Sequence, residues 1–178
     1  MKKTIIHIIT GDGKGKTTAS LGLALRTLGA GKKVKLIQFM KTATFSEHKA
    51  IKKYNLPIEV ETYGIGFYKI LGDKHTDAEH KESCQKALQA AEAAIKSQNY
   101  DLIILDEINV ALGFKLIDIN EVLSILQTTE NGKLTTDIIL TGRRAPAKLK
   151  KIADLVSEIR NVKNYFDEGQ EARKGIEF

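Results

Sequence analysis

Residues 9–18 read ITGDGKGKTT. The stretch follows a nearly continuous β-branched run, Ile5, Ile6, Ile8 and Ile9, and precedes a segment with helical spacing. Strand, glycine-rich loop, helix is the order in which a chain builds a phosphate cradle. Glycines let backbone N–H groups turn inward around anionic oxygens, and the helix that follows points the positive end of its dipole at the same place. The usual spacing of such loops is G-x-x-x-x-G-K-[ST]. Gly15, Lys16 and Thr17 supply its end, but Thr10 stands where the first glycine is expected. Gly11 and Gly13 must therefore supply the flexibility. Lys16 can reach phosphates as a point charge, and Thr17 can place its hydroxyl on Mg²⁺.

Outward from this loop, the pattern of strands repeats. Residues 33–39 (KVKLIQF), 101–107 (DLIILDE) and 136–142 (TDIILTG) are apolar runs of strand length, and 58–62 is a weaker one. Helices are expected over 17–28, ending at Gly29, over 76–96, over 119–126 and over 146–156, with a last strand near 156–162. Thr76 and Glu79 have capping-box spacing, and Cys84, Leu88, Ala91 and Ile95 fall on one face of the helix that follows. Cys84 is thus read as core. Buried strands alternating with helices imply an α/β fold: a single-domain parallel sheet with helices on both faces, spanning residues 1–178. Ligands of such sheets sit beyond the carboxyl ends of the strands. The glycine loop, the pair Asp106 and Glu107, and the TGRR segment all lie at such ends. In the Walker-B-like LIILDE, Asp106 ends an apolar strand and can serve Mg²⁺ directly or through water. Glu107 can polarise a water or stand behind the metal. Binding of Mg²⁺ and a nucleoside triphosphate follows from these parts; hydrolysis, phosphoryl transfer and other chemistry can share them.

The chain has 178 residues, a formal charge of +6 and one cysteine, Cys84, so no internal disulfide forms. No apolar run approaches the roughly 20 residues that span a bilayer, and a cytoplasmic protein is expected. The positive charge suits an anionic ligand or a solvated surface. Aromatic residues make up only 6% of the chain, few for stacking on single-stranded nucleic acid, so no nucleic-acid or membrane partner is expected.

Larger segments narrow the reading. TGDGKGKTTASLGLALRTLGAGKKVKLIQFMK (10–41), LIILDEIN (102–109), IILTGRRAP (138–146), ADLVSEIRNVK (153–163) and FDEGQEARKGIEF (166–178) resemble, in order and over nearly the whole chain, the phosphate-loop type of ATP:cob(I)alamin (corrinoid) adenosyltransferases. The resemblance implies a P-loop NTPase-like (RecA-like) core and a homodimer. The implied activity moves the 5′-deoxyadenosyl group of ATP to the cobalt of a reduced corrinoid (cob(I)alamin, cobinamide or cob(I)yrinic acid a,c-diamide) and releases triphosphate, with Mg²⁺ or Mn²⁺; as electron donor, an acidic flavoprotein would suit the chain's positive charge. It implies an ATP site formed by Gly11, Asp12, Gly13, Lys14, Gly15, Lys16, Thr17, Thr18, Lys41 and Arg143, and a metal served by Thr17, Asp106 and Glu107. Lys16 and Phe67 are its catalytic candidates. Phe67 lies in GIGFYK (64–69), similar to a loop whose bulky side chains displace the lower cobalt ligand; a second aromatic would fall at Lys69, and the chain has no tryptophan. Thr42, Ser46, Asn161 and Asn164 also depart from the usual segments, and with the first strand so near residue 1 no N-terminal extension of the kind some members carry is expected. A RecA-like ATPase or nucleoside kinase is the alternative, and a non-enzymatic carrier a third reading.

Overall fold

The computed structural model describes residues 4–66, 68, 69, 72–127 and 135–177. Six strands form one sheet: β1 (Ile6–Thr10), β2 (Val34–Gln38), β3 (Ile58–Thr62), β4 (Leu102–Asp106), β5 (Asp137–Thr141) and β6 (Leu155–Glu158), in the order β3-β2-β4-β5-β1-β6. Every pairing is parallel. The helices are α1 (Lys16–Gly29), α2 (Ser46–Lys53), α3 (Asp77–Ser97), α4 (Ile108–Gly113), α5 (Ile119–Gln127) and α6 (Ala147–Ile152), with a 3-10 turn at Tyr165–Glu168.

The continuous apolar runs become strands because helices cover both faces of the sheet. On one face α1 and α2 bury Ile9, Leu36, Ile104 and Ile139. On the other, α3, α4, α5 and α6 cover Ile8, Ile37, Phe39, Leu105 and Leu140. All five residues of β4 are buried. Register then aligns the carboxyl ends: Gln38 pairs with Asp106, Ile9 with Thr141, and Thr10 with Glu158. A row of polar side chains therefore closes one edge of an apolar sheet.

In α3 the capping box forms as spaced. The Glu79 N–H donates to Thr76 Oγ1 at 3.3 Å, and the Thr76 N–H donates to Glu79 Oε2 at 2.7 Å. Cys84 is buried on this helix, and burial pushes its thiol pKa up to about 12. The expected helix over 146–156 is shorter. It ends at Ile152, because Ala153 is extended and Asp154 donates its N–H to the Ile6 carbonyl at 2.9 Å, starting the β6 pairing. β6 accordingly begins at Leu155, ahead of the sequence expectation. Among the described residues, no helix is long and apolar enough to cross a membrane.

Candidate active site

β1 delivers the glycine loop to the polar edge. Gly11 takes φ +103° and Gly15 φ +117°, left-handed geometry that glycine reaches without a Cβ penalty. The loop is clamped from behind by the segment after β6: the Ile159 N–H donates to the Thr10 carbonyl and the Gly13 N–H to the Ile159 carbonyl, both at 2.8 Å. Gly15 caps α1, and among the described residues no side-chain cap bond closes that helix's start. The helix's first N–H groups are left to face the cavity in front of the loop.

That cavity has a volume of about 560 Å³ and is lined by Asp12, Gly13, Lys14, Gly15, Lys16, Thr17, Thr18, Lys41, Glu107 and Arg143, among others. Gly11 stands behind the loop against Ile159, and Asp106 lies beneath it, fully buried. Lys16 is buried and donates to the Gly13 carbonyl at 2.7 Å. Burial lowers its pKa from the usual lysine value.

Asp106 is held by four donors. Thr17 Oγ1 (2.9 Å) and Thr141 Oγ1 (2.6 Å) donate to Oδ1, Gln38 Nε2 donates to Oδ2 at 2.9 Å, and Lys41 Nζ lies 3.2 Å from Oδ2. Gln38 is itself bonded to His48. Lys41 Nζ also donates to Thr17 Oγ1 at 2.9 Å and lies 3.4 Å from Glu47 Oε1. Burial alone would lower the Lys41 pKa; the charges of Asp106 and Glu47 outweigh it, and the pKa is raised. Glu107 sits at φ +63° at the start of α4, its N–H donating to Thr141 Oγ1 at 2.9 Å. Its carboxyl pKa is raised, first by burial and then by neighbouring Asp106.

Among the described residues no group of three or more His, Cys, Asp or Glu side chains could hold a metal. A metal here would draw on the Thr17 hydroxyl, the Asp106 and Glu107 carboxylates and a ligand's phosphate oxygens. All are hard oxygen donors of the kind Mg²⁺ takes. The position suits a cation, because the Lys41 ammonium already lies among oxygens of Thr17, Asp106 and Glu47.

A second cavity, of about 790 Å³, adjoins the first. Met40, Tyr68, Val110 and Phe114 give it an apolar wall, with Lys69 and Arg144 also on its lining. Lys16, Lys41, Phe45, Glu107, Arg143 and Glu177 line both cavities. Phe67 lies outside the described residues.

The carboxyl-terminal segment contributes residues that sequence patterning misses. Lys14 Nζ donates to Tyr165 Oη at 2.9 Å and to Glu177 Oε1 at 2.5 Å. Hydrogen bonds, first that from Lys14, bring the Glu177 carboxyl down to about 2. No hydrophobic period marks this tail; its signal was the family-like run at 166–178.

Two adjoining cavities thus share a wall of Lys16, Lys41 and Arg143 with Glu107, Glu177 and Phe45, in front of a phosphate loop. The family described as ATP:corrinoid adenosyltransferase BtuR/CobO/CobP matches residues 2–178. The chain belongs to this family. A corrinoid adenosyltransferase of Sinorhizobium sp is 35% identical over 179 residues, covering 99% of this chain and 81% of the relative. That of Escherichia coli strain K12 is 31% identical over 182 residues, covering 99% and 87%. Among solved structures, flagellar accessory protein FlaH from Methanocaldococcus jannaschii aligns with a TM-score of 0.58 at 13% identity, over 87% of this chain and 70% of that one. A KaiC-like protein from Pyrococcus horikoshii OT3 aligns at 0.51 and 16%, over 90% and 74%. These two show the α/β, RecA-like fold alone. Membership of the adenosyltransferase family makes the chain an enzyme, a transferase acting on corrinoids.

Proposed function

We propose that this chain, working as one domain, transfers the 5′-deoxyadenosyl group of ATP to the cobalt of a reduced corrinoid and releases triphosphate. The observation that carries the reading is the pair of adjoining cavities. One has the loop amides, the uncapped α1 terminus and Lys16 for a polyphosphate, the other an apolar wall for a bulky planar partner. The Co(I) electron pair attacks C5′, the cobalt–carbon bond forms, the C5′–O bond breaks, and its electron pair leaves on the triphosphate. Charge grows on the leaving group, so prepositioned amides and Lys16 stabilise the transition state more than the ground state. Lys41 and Arg143, on the shared wall, hold the same anion in place. Thr17, Asp106 and Glu107 would hold Mg²⁺, which supplies further charge neutralisation to the phosphates. No general base is needed, and orientation supplies the rest of the rate. The family resemblance also supports a homodimer, and the chain's net positive charge would suit an acidic flavoprotein as its electron donor in the cytoplasm.

Anaerobic incubation with ATP, Mg²⁺ and chemically reduced cobalamin tests the reading. The expected result is a light-sensitive cobalt–carbon chromophore with one triphosphate released per turnover. Free orthophosphate without that chromophore would instead mark an ATPase.

Asp106→Asn is expected to weaken Mg²⁺-dependent turnover, shifting the Mg²⁺ titration to higher concentration by roughly tenfold. A charged acceptor of several hydrogen bonds is worth about 1.5–3 kcal/mol in such contacts. A titration superimposable on wild type removes Asp106 from service to the metal.

Phe67 is proposed to displace the lower cobalt ligand. Phe67→Ala should then slow transfer to Co(II) cobalamin supplied with a mild protein donor at least about tenfold more than transfer to cobinamide, a change of about 1.4 kcal/mol in the barrier. Equal losses with both corrinoids, together with a lowered Tm, assign Phe67 to the core.

A further inference from the structure

The segment joining β3 to α3 forms part of the second cavity's wall, and it is fastened at both ends. At its start, a Cβ on Gly64 would fall 2.3 Å from the Met40 carbonyl carbon and 2.4 Å from Lys41 N, so the chain passes flush against the exit of β2. At its far end the fastening is a side chain. Asp73 Oδ2 accepts from the Lys69 N–H at 3.1 Å, and Oδ1 from the His75 N–H at 3.0 Å. Both oxygens lie 3.2 Å from Nε2 of His80, which is buried in the first turn of α3. One carboxylate thus ties two loop amides to a helix.

The geometry it maintains is not one the loop would choose freely. Lys69 holds φ +56°, left-handed and unfavourable for a residue with a side chain. Its amide is one of the two that Asp73 accepts from. Beside it Tyr68 is 6% exposed, its ring edge-on to His80 at 4.8 Å and to Phe114 at 5.0 Å. Tyr68, Lys69 and Phe114 all line the second cavity. Neither Asp73 nor His80 lines either cavity.

We propose that Asp73 and His80 are positioning residues for the corrinoid. Through Lys69 and Tyr68 they fix the wall of the second cavity, and they set corrinoid affinity without touching the nucleotide. The proposal rests on the reading of that cavity as the corrinoid side of the site. It gives a physical role to the loop: a hydrogen-bonded pin and a buried tyrosine keep the wall in shape where Lys69 stands.

The test uses the full chain and the variants Asp73→Ala, His80→Ala and His80→Gln, the last retaining an N–H donor towards Asp73. Three quantities are read on each: ATP affinity by calorimetry in Mg²⁺ buffer, cob(II)alamin affinity by absorbance titration, and amide exchange at Lys69 and His75 without ligand. For Asp73→Ala and His80→Ala, the corrinoid Kd is expected to rise about tenfold, the scale of losing hydrogen bonds to a charged group. The ATP Kd stays within about twofold, and exchange at Lys69 accelerates with the change in corrinoid affinity; His80→Gln recovers most of both. Parallel weakening of ATP and corrinoid, or corrinoid affinity left unchanged, overturns the positioning role. Wild-type protein that binds no corrinoid overturns the functional reading itself, and the pin's role with it. A wild type that binds and an Asp73→Ala variant that binds equally overturn the pin alone.

Discussion

Lys16→Ala is expected to lower adenosyl transfer by about 10²–10³-fold at saturating ATP and Mg²⁺, the scale on which one preorganised donor to a developing oxyanion acts. Lys16 is buried beside the glycine loop, its ammonium fixed by the Gly13 carbonyl at 2.7 Å. Burial lowers its pKa, outweighing the opposing pull of Glu107, Asp12 and Asp106, because the charged form is held away from water at a cost. A triphosphate in the cavity relieves that cost, and one gaining charge as its C5′ bond breaks relieves it more. The loss should therefore appear in kcat as well as in KM. The fold should change little, since the lost lysine–carbonyl bond, about 1.5–3 kcal/mol for a charged donor, is offset by release of the cost of burying the ammonium. Single-turnover rates on pre-reduced cobalamin, with thermal unfolding beside them, make the measurement. A kcat equal to wild type with only KM raised would reduce Lys16 to a ground-state phosphate anchor.

The parts of this site that sequence reveals are those whose chemistry is local. A glycine loop between a β-branched run and a helix has few other uses. An acid closing an apolar strand must sit at the sheet's edge, because register aligns all the carboxyl ends together. Lys16 and Glu107 therefore line one cavity from opposite halves of the chain, with Asp106 buried beneath it. α2 escaped notice because none of its residues is buried and no side chain caps it; a helix held by neighbours carries no apolar period. α4 is only six residues long and follows Glu107 at φ +63°, a backbone turn without a residue signature. The boundary of α6 moved because Asp154 is drawn into strand pairing by Ile6, a contact 148 residues away that no window along the chain can contain. The tail at 164–177 is held to Lys14 by ionic and phenolic contacts, so hydrophobic patterning could not see it. Glu177 became a lining residue of both cavities by the same route.

Gly11→Ala is the substitution for which the structure forecasts the largest loss of stability. A Cβ built on Gly11 would stand 2.2 Å from the Ile159 carbonyl oxygen and 2.9 Å from the Ile159 nitrogen, and the residue holds φ +103°. The obstacle is backbone on both counts, so no rotamer change relieves it. Either the loop or the strand end must move, and they are tied: Ile159 donates to Thr10 and accepts from Gly13, each at 2.8 Å. Overpacking and an unfavourable dihedral together cost about 2–6 kcal/mol, which for a chain of this size is a fall in Tm of roughly 10 °C. Because the displaced Ile159 carbonyl accepts from Gly13, which belongs to the loop, ATP affinity should fall with it. Gly22→Ala is the matched control. It lies inside α1 with nothing within 4 Å of the added carbon, and should gain about 0.5–1 kcal/mol because alanine loses less backbone freedom in a helix. Differential scanning calorimetry with and without ATP reads both. Should Gly11→Ala melt within a degree or two of wild type with its ATP stabilisation intact, the contact between the glycine loop and Ile159 is not what holds the cradle in shape.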